Sequence, residues 1–197
     1  MDPESFNRLR KESDRAAAVL GAALLDVALG DVFSTRCGAR VIPDMLRANG
    51  VLGSFSNRIR MAYAIGWIAD DTQHDLHLVR SIRNEFAHLD DHTLSFETQS
   101  IQDRARELRV LRALEAVVKD AAAGEPLDAP LLKNLERFKP ARIRYDIAIM
   151  LLSDALAEAK ADSPVSTEGA KSVVDLARRY MTNVLQTRPT SIPPSAA

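Results

Sequence analysis

The chain has 197 residues, of which 46% are hydrophobic, 5% aromatic and 27% charged. One hydrophobic core suffices at this length, and the preponderance of alanine and leucine over aromatic residues favours helices over sheets. The formal net charge of −1 argues against a large basic surface for binding DNA phosphates. A single cysteine, Cys37, excludes an internal disulfide, favours a reducing cytoplasm, and is expected to be a small core residue.

The sequence predicts neither a signal peptide nor a membrane span. Residues 1–15 carry charges of both signs, and the longest apolar run, residues 16–25, ends at Asp26. A transmembrane helix needs roughly 20 consecutive apolar residues. We therefore expect a cytoplasmic protein with no membrane partner.

The predicted elements are helices joined by short links. Ser13 and Asp14 are predicted to cap the first helix, and the run Asp70-Asp71-Thr72 is predicted to cap the fourth. Helices are expected at residues 15–33, 42–48, 55–69, 72–89, 97–122, 129–138, 140–160 and 167–185. This order predicts an all-α, single-domain bundle of about six to eight helices over residues 1–186. Residues 187–197, rich in proline, serine and threonine, are expected to be a disordered tail.

Apolar periodicity indicates which faces pack. In the first helix Leu20, Leu24 and Val27 mark one face, and small residues should allow a neighbouring helix to approach closely: Ala16, Gly21 and Ala23. The helix at 55–69 should bury Ile59, Tyr63, Gly66 and Trp67. A stripe in the helix at 140–160 is expected in the core, with a dimer face as the alternative: Ile143, Ile147, Met150 and Leu151.

The helix predicted at 72–89 carries two different faces. One is an ordinary core stripe of Leu78, Ile82, Phe86 and Leu89. The other is polar and contains His77, Ser81, Asn84 and His88, bordered by Arg80 and Arg83. Solvated helix faces are usually rich in glutamate and lysine, whereas these side chains suit specific hydrogen bonding. The polar face is therefore the predicted binding or interaction surface.

Four segments carry a family resemblance. They are Ser13-Asp14-Arg15, Leu52-Gly53-Ser54-Phe55-Ser56-Asn57-Arg58-Ile59, Asp75-Leu76-His77-Leu78 and Ile82-Arg83-Asn84-Glu85-Phe86-Ala87-His88. Together they resemble the MltR (mannitol operon repressor) family over residues 12–118. The resemblance implies a helical regulator that has no DNA-binding motif of its own and acts through a protein partner. Mannitol itself is not carried over to this chain.

The last segment also fits a second pattern, arginine, a polar residue, three further residues and histidine. It is similar to the signature of HEPN-fold ribonucleases, which are small helical bundles. In that hypothesis His88 is a general acid or base on an RNA 2′-hydroxyl, Arg83 stabilises transition-state charge, and Asn84 orients His88. A homodimer belongs to this hypothesis, because Arg83 and His88 do not share one line of a helix. The structural alternative is that Arg83 and Asn84 tie the helix to its neighbours.

Two weaker clusters have plain explanations. His74 and His77, preceded by Asp70 and Asp71, could hold a metal, but a surface cluster is the favoured reading and no metal site is predicted. The run Arg104, Arg106, Arg109 and Arg112 is interleaved with acids, so a salt-bridged face is favoured over a phosphate-tracking strip. No phosphate loop or nucleophile elbow is present, and no cofactor is expected.

Overall fold

The computed structural model describes residues 3–37, 42–88, 93–122, 139–161 and 172–186. Within these ranges there are nine helices and no strand, so the all-α prediction is confirmed. The helices are α1 Pro3–Lys11, α2 Asp14–Cys37, α3 Ile42–Leu46, α4 Phe55–Ala64, α5 Asp70–Ala87, α6 Gln99–Glu107, α7 Arg109–Ala122, α8 Ala141–Ala161 and α9 Val173–Gln186. The helix predicted at 129–138 and the tail predicted at 187–197 lie outside the described residues.

The core forms where α2 and α8 pack against each other, with α5 on their flank. A Cβ atom added to Gly21 would lie 3.0 Å from Ile149 Cγ1 and 3.1 Å from Tyr145 Cε1, so the predicted close approach is confirmed at Gly21. Ala23, by contrast, is exposed and takes no part in it. Tyr145 is fully buried, and its hydroxyl donates a hydrogen bond to the carbonyl of Ala18 at 2.7 Å. The close contact of α2 with α8 thus depends on the absence of a side chain at Gly21 and on the buried hydroxyl of Tyr145.

The start of α2 is held by polar side chains. Ser13 Oγ accepts from the N–H of Ala16 at 3.3 Å, which confirms the predicted cap. Asp14 acts over a longer range, because its carboxylate accepts from the N–H of Phe96 and from Arg142 Nη1. Arg142 also binds Asp146 one turn along α8 and lies over the Phe96 ring. These contacts join the beginnings of α2 and α8 to the loop before α6.

The capping predicted for α5 is wrong in its main part. The N-cap of α5 is Ala69, which offers no side-chain cap. Asp71 Oδ1 accepts from Thr72 N, but Asp71 Oδ2 accepts from the N–H of Val174 at 3.0 Å and Thr72 Oγ1 from the N–H of Val173 at 2.8 Å. These side chains therefore cap the start of α9, a use that depends on a neighbour distant in sequence.

Two of the differences between the predicted and the observed helix bounds are large. The helix expected at 97–122 is broken at Leu108 into α6 and α7. The helix expected at 55–69 ends at Ala64, where Gly66 has φ +73° and the N–H of Trp67 bonds to the Ala62 carbonyl at 2.9 Å. This is a glycine-terminated helix end of the Schellman type. Tyr63 lies in the last turn of this helix, and the prediction that it is buried is wrong, since its side chain is 43% exposed.

Several apolar side chains lie on the surface. The face of α2 marked by Leu20, Leu24 and Val27 is exposed, although its apolar spacing predicted that it packs. Cys37 is exposed too, contrary to its expected core position. Cys37 is the last residue of α2, beyond the packed part of that helix. By length and composition α2 could cross a membrane, a test that core helices also pass, and it contributes buried residues to the core throughout. In α8 Leu151 is buried, while Ile143, Ile147 and Met150 are half-buried.

We predict that Tyr145→Phe lowers the free energy of unfolding by about 1 kcal/mol at neutral pH, since one hydrogen bond is lost. Burial raises the pKa of the Tyr145 phenol above its ordinary range. The native state therefore keeps this proton above about pH 10, where the unfolded chain loses it. Stability from this group falls by up to about 1.4 kcal/mol per pH unit there.

Urea unfolding of wild type and Tyr145→Phe between pH 8 and 11 measures both effects. The difference between the two proteins should shrink as the pH rises above about 10. A difference that stays constant through this range would contradict the prediction.

Candidate functional site

A cleft of about 440 Å³ opens between α2, the start of α4 and α5. The first wall is the α2 face with Ala22, Ala23 and Asp26. The second is the segment that enters α4, with Gly53, Ser54, Phe55 and Ser56. The third is α5, with Arg80, Arg83 and Asn84. The cleft thus combines three residues of the predicted polar face with the loop that precedes α4.

Arg58 holds the loop that forms the second wall. Its Nε donates to the Leu52 carbonyl at 2.7 Å, and its Nη2 donates to the Leu46 carbonyl at 3.4 Å. Its Nη1 reaches α2, where it binds Asp26 Oδ1 at 2.6 Å and the Asp26 carbonyl at 3.1 Å. The Arg58 side chain is only 13% exposed. The Arg58 guanidinium therefore joins α4, the loop and α2, and it forms an ion pair with Asp26, the acidic residue that lines the cleft.

Close backbone packing explains the glycines of this loop. A Cβ added to Gly53 would lie 2.4 Å from the Arg47 carbonyl oxygen, and one added to Gly50 would lie 2.2 Å from that of Met45. Ser54 then caps α4, because its hydroxyl accepts from the N–H of Asn57 at 3.2 Å. The segment 52–59 therefore serves mainly to build the wall and to begin α4.

The α5 wall carries the cations of the cleft. Arg83 is exposed, and its Nη1 donates to Asn84 Oδ1 at 3.0 Å. Arg80 is half-buried, and its Nε is buried without a hydrogen-bond partner. In the described part of the chain neither arginine has an acidic partner. Arg80, Arg83 and Asn84, predicted as binding residues, therefore lie together at one cleft.

His88 lies apart from the residues that line the cleft. It follows the last residue of α5 as the C-cap, with φ −69° and ψ 122°, and its side chain is exposed. Arg15 Nη1 donates to the carbonyls of Phe86 at 2.8 Å and His88 at 3.0 Å, which ties this helix end to α2. The structure brings Arg83 and Asn84 together at the cleft and leaves the His88 side chain in solvent.

His77 lines a second, shallower cleft of about 330 Å³ near the beginning of α5. Its neighbours there include Asp70, His74 and Arg109. Burial lowers the pKa of His77, and the positive charges of Arg80, Arg60 and His74 lower it further. Ser81 is half-buried and lines neither cleft. The polar face of α5 is therefore divided between two places on the surface.

Asp70 and His74, at the second cleft, already have partners. Asp70 binds Arg109 at 2.5 Å, and His74 Nδ1 lies 3.1 Å from Asp75 Oδ1. Among the described residues no group of three histidine, cysteine or acidic side chains is arranged to hold a metal. The cluster is best understood as a set of pairs that stabilise the junction of α5 and α7.

The arginine run of α6 and α7 is salt-bridged, as predicted. Arg104 pairs with Glu85, Arg106 with Asp103 at 2.8 Å, and Arg109 with Asp70. Arg112 Nε donates to the Arg106 carbonyl at 3.0 Å. These side chains are committed to contacts within the chain and do not form an open phosphate-binding strip.

Sequence reasoning missed the structural parts of the site. Arg58 and Asp26 were not singled out, although Arg58 stands within the segment 52–59. The available signal was an arginine one turn into a helix that directly follows a glycine-containing loop. Its partner Asp26 was visible only as an acid that interrupts an apolar run, where a half-buried charge favours a counter-charge.

Comparison with protein families gives one result. A family model described as MtlR, mannitol repressor, matches residues 38–156, which is more than half of the chain. The matched range contains the segments 52–59, 75–78 and 82–88, and it extends past residue 118, where the recognised resemblance ended. Ser13-Asp14-Arg15 lies outside it. Neither the curated proteins nor the solved structures include a match.

We predict that Arg58→Gln loosens the second wall of the cleft. The change removes a largely buried charge from Asp26 and frees several carbonyls, so the free energy of unfolding should fall by about 2 kcal/mol. Hydrogen exchange measured by mass spectrometry should rise over residues 46–54 and in the middle of α2. Arg60→Gln, two residues away and exposed, is the matched control. Equal effects of the two changes would contradict this role of Arg58.

Proposed function

Because the chain belongs to the mannitol repressor family, we propose that it regulates transcription through a protein partner and has no DNA-binding motif of its own. The family supports a transcription-regulator-like role in general terms. Regulation through a protein partner, the homodimer and the cytoplasmic location are parts of our proposal.

The charge distribution supports a route that avoids direct contact with DNA. Proteins that hold duplex DNA neutralise many phosphates with arginine and lysine. The net charge here is −1, and the arginines of α6 and α7 form ion pairs or backbone contacts within the chain. A DNA-binding surface on α6 and α7 would have to separate these pairs first.

The observation that carries the proposal is the apolar stripe of α2, defined by Leu20, Leu24 and Val27. These side chains are 46%, 43% and 65% exposed and recur at the spacing of one helix face. Contiguous exposed apolar side chains are typical of protein contact surfaces. Contact with a partner would remove them from water, which is favourable by about 25 cal/mol per Å² of apolar area. We therefore expect the protein contact at this stripe.

We predict that Leu24→Glu combined with Val27→Glu abolishes regulation while the fold is kept. In the organism of origin, transcripts controlled by this protein should be altered by gene deletion, restored by the wild type, and left altered by the double variant. Thr35→Glu, an exposed polar position on the same helix, is the matched control and should restore them.

Two measurements on purified protein accompany this test. Sedimentation velocity of the wild type and the double variant shows whether a second copy or a different protein occupies the stripe. Binding to promoter fragments of the controlled genes at physiological salt should be absent for the protein alone. Full regulation by the double variant, or tight specific DNA binding by the wild type alone, would refute the proposal.

A metal-independent ribonuclease, or an RNA-binding protein, is the second candidate function. The observation in its favour is that Arg83 and Asn84 are hydrogen-bonded side by side at a solvent-open cleft, while His88 is exposed at the end of the same helix. Bringing His88 to the cleft would need a movement of the α5 end or a second copy of the chain.

Metal-free RNA cleavage by purified protein tests this candidate. If it holds, His88→Ala and Arg83→Ala should each reduce the rate by at least about 100-fold, since general acid–base catalysis and stabilisation of transition-state charge each contribute at least that much. Arg8→Ala, on exposed α1, should leave the rate unchanged. Equal residual activity in all four proteins would assign the cleavage to a contaminant and reject the candidate.

A further inference from the structure

The charges around the cleft do not cancel. Asp26 is the acidic side chain among its lining residues, and Arg58 already pairs with it at 2.6 Å. Arg80 and Arg83 then remain, and neither has an acidic partner among the described residues. Guanidinium groups bind phosphate oxygens through paired, charge-assisted hydrogen bonds. The cleft therefore has positive charge to offer to an anion.

One of these cations has a hydrogen-bond donor with no acceptor. Arg80 Nε is buried and unpartnered. Buried donors are almost always satisfied in native proteins, and leaving one unsatisfied is unfavourable. Because Arg80 Nε has no accessible surface, an anion in the cleft would reach it only after the Arg80 side chain turns, and Arg80 itself lines the cleft. The acceptor gained in this way would favour the bound state.

The N-terminus of α4 adds further donors at the same place. α4 has ten residues, and the Ser54 hydroxyl satisfies the N–H of Asn57. The N–H groups of Phe55 and Ser56, as the first two residues of the helix, have no carbonyl one turn back. Phe55 and Ser56 both line the cleft. Such a helix end favours anions through its free N–H groups and the helix dipole.

We propose that this cleft binds a small organic phosphate monoester as its dianion. The phosphate lies between Arg80, Arg83 and the start of α4, and Asn84 contributes its amide N–H groups. The organic part packs on Ala22, Ala23 and the Phe55 side chain. A volume of about 440 Å³ suits a small molecule of this kind. Two cations and a helix N-terminus match a dianion better than the single charge of a phosphodiester.

Isothermal titration calorimetry with phenyl phosphate as the probe tests the proposal on the full chain. Phenyl sulfate, a monoanion of the same shape, is the matched ligand. Phenyl phosphate should bind at least about tenfold more tightly than phenyl sulfate, because its second charge meets a second guanidinium. Its affinity should rise as the pH passes about 6, where phosphate monoesters become dianions.

Substitutions of single arginines test whether phenyl phosphate binds in this cleft. Arg83→Gln, at an exposed position that should not disturb folding, is expected to weaken phenyl phosphate at least about tenfold, and Arg80→Gln likewise. Arg8→Gln, which removes an exposed arginine of α1, should change nothing. Arg83→Lys should lie between wild type and Arg83→Gln, because lysine keeps the charge but not the paired geometry.

The proposal is overturned if the wild type does not bind phenyl phosphate at millimolar concentration. It is also overturned if phenyl sulfate binds as well, or if Arg8→Gln weakens binding as much as Arg83→Gln. The assay needs neither a protein partner nor transcription, so its result is separate from the regulatory proposal. An RNA-binding cleft would show instead tight binding of single-stranded RNA and no preference for the monoester dianion.

Discussion

The carboxylate of Asp75 is the buried charge around which this bundle is arranged. Asp75 lies in α5 with no exposed surface, and its oxygens accept from the N–H groups of Arg109 at 2.9 Å and Val110 at 3.0 Å. Burial raises its pKa, while these two backbone donors and the adjacent His74 act in the opposite direction. A buried carboxylate is tolerated only when its oxygens are satisfied. α7 must therefore begin beside α5, which is why the chain breaks at Leu108.

The same logic fixes α5 at both ends. Asp71 and Thr72 at its beginning receive the first N–H groups of α9, and Arg15 donates to its last carbonyls. These hydrogen bonds satisfy backbone N–H and C=O groups that helix ends otherwise leave without partners. The helix that presents Arg80 and Arg83 to the cleft is therefore anchored to α2, α7 and α9. A binding surface on such a helix is positioned before any ligand arrives.

Local features of this fold were predictable from sequence, and contacts between distant segments were not. The all-α class, the Ser13 cap and the close approach at Gly21 follow from composition, turn chemistry and helix spacing. The break at Leu108 is invisible along residues 97–122, because its cause is Asp75, more than thirty positions earlier.

The candidate site shows the same division. Arg80, Arg83 and Asn84 could be identified on one helix because unusual polar residues recur there at helical spacing. Their cleft could not, since its other walls come from α2 and from the loop held by Arg58. The stripe from His77 to His88 spans more than three helical turns, and neither cleft is lined by both of its ends. His77 and His88 consequently face different surroundings, despite sharing a face in the sequence pattern.

α2 is one uninterrupted helix from Asp14 to Cys37, and two of its neighbouring faces are open to solvent. The apolar stripe lies on one of these faces. Ala23 and Asp26 lie on the other face, which forms a wall of the cleft. A rigid helix does not move one face without the other. A protein docked on the stripe and an anion held in the cleft would therefore contact the same helix. Any factor by which the bound protein changes the affinity for the anion is also the factor by which the anion changes the affinity for the protein.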